Sequence, residues 1–233
     1  MAKKPKMNGQ TYAVNLITMT NPASPISEQY RTIRTNIQFA TAGNQKIKVL
    51  VVTSPGPSEG KSTSAANLAA VFAQSGQRVL LVDADMRKAT VHKTFGLANA
   101  SGLSTVLSTA ATGENVIQRT TVPNLFVLTS GPKPPNPSEL LGSPRMLQVI
   151  EELKNAYDLV IFDMPPIVAV TDAQIMASKA DGTILVLREN VGRKDEALKA
   201  KELLQMVHAN ILGVIYNGAR TDKDQGYYYY YGN

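Results

Sequence analysis

The sequence predicts an α/β protein: a three-layer α/β/α sandwich around a mainly parallel, doubly wound sheet. Strand-length apolar runs alternate with helical patterns along the chain, as repeated βαβ units require. The runs Val79-Leu80-Leu81-Val82, Leu159-Val160-Ile161-Phe162 and Ile184-Leu185-Val186-Leu187 are also continuous rather than alternating, which marks strands buried on both faces. In order, the first strand is 48–53, carried by Val49-Leu50-Val51-Val52, and a helix over 61–75 follows it. Strand 78–83 ends in an acid, and strand 125–129 follows. Pro132-Lys133-Pro134-Pro135-Asn136-Pro137 is too rich in proline for regular structure and reads as a stiff surface connection. Helix 144–156, strand 159–163, helix 172–179, strand 182–188, helix 194–208 and strand 211–217 complete the alternation. Residues 1–220, with an N-terminal arm and helix over 1–42, read as one domain, and 221–233 as a flexible tail.

A length of 233 residues with 43% hydrophobic content suffices for one sizeable core. The absence of cysteine leaves no disulfide framework and no thiolate chemistry, which fits a reducing compartment. No apolar run reaches the roughly 18 to 20 residues that cross a bilayer, so the expectation is a soluble, cytoplasmic chain. The formal charge of +6 is scattered rather than blocked, a solvated basic surface with no nucleic-acid partner expected.

The densest chemical signal is Ser54-Pro55-Gly56-Pro57-Ser58-Glu59-Gly60-Lys61-Ser62-Thr63, directly after the first strand and at the start of a helix. Such a loop points successive backbone N–H groups at phosphate oxygens, and the helix N-terminus adds its positive dipole end. Lys61 is placed to reach the outer phosphates, and the Ser62 hydroxyl to ligate Mg²⁺. The usual spacing puts the first glycine at position 55, where this chain has Pro55 with Gly56 one place later, so the loop is a variant of the P-loop. Gly56, Pro57, Ser58, Glu59, Gly60, Lys61, Ser62 and Thr63 are the candidate nucleotide contacts.

Two further strands end in carboxylates. Asp83 stands at the tip of strand 78–83, with Asp85 and Arg87 just beyond, and Asp163 ends strand 159–163 before Met164-Pro165-Pro166. Carboxylates at the ends of buried strands beside a triphosphate suit Mg²⁺, which takes oxygen ligands and keeps several waters. Ser62 and the strand-end acids Asp83, Asp85 and Asp163 are the candidate metal ligands. A carboxylate near an accepting hydroxyl can take its proton or orient it. Asp83 and Asp85 are the candidates; Arg87 can stabilise transferring charge or simply pair with an acid. Asn217, ending the last strand, can meet the adenine or form a turn. His92 and His208 have no spaced partners and read as non-ligands. Ser138 reads as a helix-start residue, because no histidine base accompanies it.

The loop ending Gly60-Lys61-Ser62-Thr63, the segment Asp83-Ala84-Asp85-Met86-Arg87 and the segment Asp163-Met164-Pro165-Pro166 resemble the Walker A, A′ and B motifs of bacterial tyrosine kinases. Glu28, Arg31 and Arg34 match that family's E-x-x-R-x-x-R element, and Tyr227-Tyr228-Tyr229-Tyr230-Tyr231 resembles its C-terminal tyrosine cluster. The resemblance implies an ATP- and Mg²⁺-dependent protein-tyrosine kinase with Lys61, Asp83, Asp85 and Arg87 catalytic, Asp83 as proton acceptor, and Asp85 and Asp163 nearer the metal. It also implies phosphorylation of the five terminal tyrosines in trans within a ring of copies joined through Glu28, Arg31 and Arg34. The stand-alone form of this family works in capsule or exopolysaccharide production with a transmembrane adaptor of the polysaccharide co-polymerase type, which holds the kinase at the inner membrane face. Two alternatives share the motifs: a partitioning or cell-division ATPase, and a non-catalytic nucleotide-dependent scaffold. The first carries an extra lysine early in its loop, and Ser54 to Glu59 contain none.

Overall fold

The structure, a computed structural model, describes residues 14–40, 47–109 and 115–219. In chain order the elements are α1 (Ile17–Thr20), α2 (Pro25–Ala40), β1 (Val49–Thr53), α3 (Lys61–Gln74), β2 (Val79–Asp83), α4 (Val91–Phe95), α5 (Leu103–Ser108) and β3 (Gln118–Arg119). They continue with β4 (Leu125–Leu128), α6 (Pro137–Gly142), α7 (Pro144–Ala156), β5 (Leu159–Asp163), α8 (Asp172–Ala177), β6 (Gly182–Arg188), α9 (Lys194–Met206) and β7 (Ile211–Asn217).

The strands form one sheet in the order β3-β4-β2-β5-β1-β6-β7, parallel throughout except for β3 against β4. Successive side chains of a strand point to opposite faces, so a strand buried twice feeds two cores. In β1, Val49 and Val51 join Leu103, Met146, Val149 and Met176 on one side of the sheet. Leu50 and Val52 join Tyr30, Ala65, Leu68 and Phe72 on the other. The three layers are those read from the sequence. Five buried alanines of α3, at 65, 66, 69, 70 and 73, leave little side-chain bulk between that helix and its neighbours.

The deviations from expectation are local. β1 and β2 begin one residue later than predicted, and α8 ends at Ala177 and α9 at Met206, ahead of the predicted ends. The short elements α1, α4, α5 and β3 were not predicted, because pieces of this length leave almost no periodic signal, whereas the helix start read at Ser138 is α6. The proline-rich connection is corrected at its end: Pro137 is buried and opens α6, with Asn136 as N-cap. The ring fixes φ, and the missing N–H has no helical partner at that position anyway. Ser138 lies in the same first turn.

Strand order is what builds the site. β5 lies between β1 and β2, and the register pairs Val52 with Asp163 and Asp83 with Asp163. The ends of β1, β5 and β2 therefore sit side by side at the carboxyl edge of the sheet, where ligands of such folds bind.

Candidate active site

β1 delivers the phosphate loop to this edge, and Lys61 is the first residue of α3. The loop is held by its own side chains and by the next two strands. Ser54 Oγ donates to the Gly56 carbonyl at 2.6 Å. Glu59 is only 1% exposed, and its Oε1 accepts from the Gly56 N–H at 2.7 Å while its Oε2 accepts from the Arg188 N–H at 3.1 Å. Asn217 Nδ2 donates to the Glu59 carbonyl at 3.1 Å, and Arg188 Nη1 to the Ser58 carbonyl at 3.3 Å. Gly60 has φ +95°, and a Cβ there would stand 2.2 Å from Asn217 Nδ2, so backbone conformation and close approach both require glycine.

The Lys61 ammonium lies 3.0 Å from Asp85 Oδ2, 3.4 Å from Asp163 Oδ1 and 3.1 Å from Ser62 Oγ. Burial acts to lower its pKa, but the neighbouring Asp163 and Asp85 carboxylates outweigh that and raise it, so Lys61 is a fixed cation. Asp83 is fully buried; its Oδ2 accepts from the Thr90 and Val91 N–H groups at 3.0 and 2.9 Å. Burial, with the Asp163 charge second, pushes Asp83 up from 3.8 to about 7. Asp163 is also fully buried and is raised, first by burial, with Lys61 opposing.

Three carboxylates thus face one ammonium, and two buried oxygens, Asp83 Oδ1 and Asp163 Oδ2, have no hydrogen-bond partner. Orphaned acceptors of this kind are costly to bury and fit a cation or a hydroxyl donor. Among the described residues no group of three or more His, Cys, Asp or Glu is already gathered as a metal cage. That donor set suits Mg²⁺, which binds through one or two carboxylates and takes its remaining oxygens from phosphate and water.

The protonation of Asp83 has a measurable consequence. Because the folded chain holds a proton that the unfolded chain releases at lower pH, this group costs stability as pH rises from about 4 to about 7. The loss reaches up to about 4 kcal/mol in the nucleotide-free, metal-free chain. In Asp83→Asn the amide oxygen can keep both backbone bonds. We expect this variant in chelator to melt above the parent at pH 8, the gap narrowing as pH falls and closing only near pH 4; equal pH slopes for the two chains would contradict the assignment.

Not every sequence-predicted residue arrives at this cluster. Arg87 turns away: its Nε and Nη2 donate to Asp172 Oδ2 and Oδ1, both at 2.9 Å, and Nη2 also donates to Ser138 Oγ at 3.1 Å. Asp172 is fully buried at the start of α8 and also accepts from Ser138 Oγ at 2.6 Å. In this structure the arginine fastens the loop after β2 to α6 and α8. The Asn217 amide is likewise engaged with the phosphate loop. Arg31 pairs with Glu28 at 2.6 Å and donates to the Pro22 carbonyl, whereas Arg34 donates to the Val71 carbonyl of its own α3 at 3.1 Å. Arg34, expected at a contact between copies, thus holds α2 to α3 of its own chain in this structure. Tyr227, Tyr228, Tyr229, Tyr230 and Tyr231 lie outside the described residues. Sequence reading placed Glu59 in the loop but missed its hold on Arg188, and it missed Asp172 as the partner of Arg87, because both pairings are distant in sequence.

A family model described as an AAA domain matches residues 47–207. The tyrosine-protein kinase YwqD of Bacillus subtilis is 51% identical over 225 residues, 97% of this chain and 94% of that protein. Among solved structures, the chimerical protein CapA2B2 superposes with a TM-score of 0.85 at 42% identity, covering 91% of this chain and 94% of that one. The kinase domain of the Escherichia coli tyrosine kinase ETK follows with a TM-score of 0.83 at 34% identity, covering 94% and 88%.

Proposed function

The chain belongs to the bacterial tyrosine-protein kinases, on the AAA domain that spans residues 47–207, and from that membership we propose that it transfers the γ-phosphoryl group of ATP to tyrosine hydroxyls. The observation that supports this most is the position of Lys61 between Asp85 and Asp163, under a glycine-kinked loop, at the ends of three adjacent strands.

Phosphoryl transfer relies mainly on positioning and on neutralising charge. The amides at the start of α3 face the phosphates with the positive end of the helix dipole. Lys61 exchanges its carboxylate partners for the outer phosphate oxygens. Ser62, Asp85 and Asp163 would hold Mg²⁺, which would supply neutralisation of the phosphate charge. Asp83, with Oδ1 unpartnered, receives the acceptor hydroxyl and its proton. The bond between the γ-phosphorus and the β,γ-bridging oxygen breaks, the tyrosine oxygen bonds to phosphorus, and ADP leaves.

The first substrate in this proposal is the tyrosine run 227–231 of another copy of the chain. A transmembrane adaptor in capsule or exopolysaccharide production is the proposed partner, holding the kinase at the inner membrane face. Among the described residues no helix is long and apolar enough to cross a membrane. Mass spectrometry of the purified chain after incubation with ATP and Mg²⁺, with and without the adaptor's cytosolic segment, tests the proposal. Phosphate on the terminal tyrosines is expected. A chain that releases inorganic phosphate but carries none in either condition would be a hydrolase and contradict it.

A further inference from the structure

We infer that Glu59 is a positioning residue, whose carboxylate closes the phosphate loop from behind before any nucleotide arrives. The inference rests on the nucleotide-binding reading above but assigns a role to a buried acid that the transfer chemistry does not use.

An empty phosphate loop has a structural problem. Its amides converge on a place where an anion belongs, and without that anion they repel one another and leave donors unmet. Here the first half of the loop is relieved of the problem. Pro55 and Pro57 have no N–H at all, so Gly56 is the one donor among the three, and Glu59 Oε1 accepts it at 2.7 Å. The other oxygen accepts the Arg188 N–H at 3.1 Å, tying the loop to the carboxyl end of β6.

The seat around this carboxylate is closely built. A Cβ added to Gly192, in the turn after β6, would stand 2.8 Å from Glu59 Oε2. A Cβ on Gly56 would stand 3.2 Å from Glu196 Oε2 and 3.3 Å from Glu59 Oε1. Both glycines are thus places where the backbone comes up against the acid. Ser58, at φ 66°, holds a left-handed conformation that side chains seldom adopt, and the Arg188 and Asn217 side chains grip the carbonyls of Ser58 and Glu59. A loop closed in this way has its ordering cost met in advance, which favours ligand affinity. The amides left to meet phosphate are those nearer α3, from Ser58 onward, so Gly56 and Pro57 drop out as hydrogen-bond donors to it.

Two variants test this. Glu59→Gln is nearly isosteric, but both carboxylate oxygens accept from backbone N–H groups, and an amide can satisfy only one of them. Glu59→Ala satisfies neither. Calorimetric titration of Mg·ADP into the full chain should show binding weakened about tenfold in Glu59→Gln and by more in Glu59→Ala, since each buried donor left unmet carries a penalty. Steady-state kinetics should show KM for ATP rising about tenfold, with kcat falling less than threefold, because Glu59 touches no reacting atom. If the parent binds Mg·ADP and both variants bind within twofold of it, Glu59 does not position the loop. If kcat falls as far as KM rises, the residue acts at the chemical step and the inference is also overturned. Should the parent itself not bind Mg·ADP, the nucleotide reading falls and takes this inference with it. Glu59→Gln remains decisive if Glu59→Ala does not fold.

Discussion

Lys61→Met is expected to reduce phosphotyrosine formation by about 10³-fold, the loss typical when a principal charge-stabilising contact to a transition state is removed. Methionine matches the aliphatic stem and lacks the charge, so packing along α3 should survive. The ammonium is the single cation within hydrogen-bond reach of Asp85 and Asp163 among the described residues. In its absence those acids repel both each other and an incoming triphosphate, and ground-state binding weakens together with catalysis. Single-turnover transfer from ATP, read by intact mass, measures the effect. A loss smaller than tenfold would show that the lysine is not the group that meets the transferring phosphate.

Changing Tyr227, Tyr228, Tyr229, Tyr230 and Tyr231 together to Phe should remove all self-phosphorylation while leaving Mg·ADP affinity intact. The phenyl rings keep the bulk and lose the accepting oxygens. Each phosphotyrosine carries about −1.5 to −2 charges, so five of them bring roughly −8 to −10 against a formal net charge of +6. A tail of that charge would be repelled by the acids of the site, which would favour release of the product. Mixing the Phe-tailed chain, active but without acceptors, with Lys61→Met, inactive but with acceptors, separates the routes. Phosphate on the Lys61→Met chain establishes transfer between copies. Its absence, with the parent still self-phosphorylating, would mean transfer within one chain.

The parts of this protein legible in its sequence are those where local pattern and global fold agree. Val79 to Val82 and Leu159 to Phe162 read as doubly buried strands because no polar residue interrupts them, and each is bounded by the acid that enters the site. That Asp83 and Asp163 share one site was legible only through the likeness to the Walker motifs; the strand order that pairs them, with β5 between β1 and β2, has no mark in any local stretch. The same limit hid the destination of Arg87. Its partner Asp172 lies 85 positions away, and nothing in either local stretch marks the pair. Asn217 was readable as a residue at a strand end, but its hold on the Glu59 carbonyl spans 158 positions. Glu59 was readable as a member of the phosphate loop, but the bracing role of its side chain shows only in its burial and two convergent N–H groups.

The most direct single measurement is the heat of binding of Mg·ADP to the purified chain. A saturable exothermic or endothermic titration is predicted, strongest with Mg²⁺ present, weakened by chelator and weakened again in Asp163→Asn. No heat and no protection from thermal unfolding at about 1 mM Mg·ADP, near the upper limit of ordinary substrate affinities, would contradict a triphosphate site between Lys61 and the three acids.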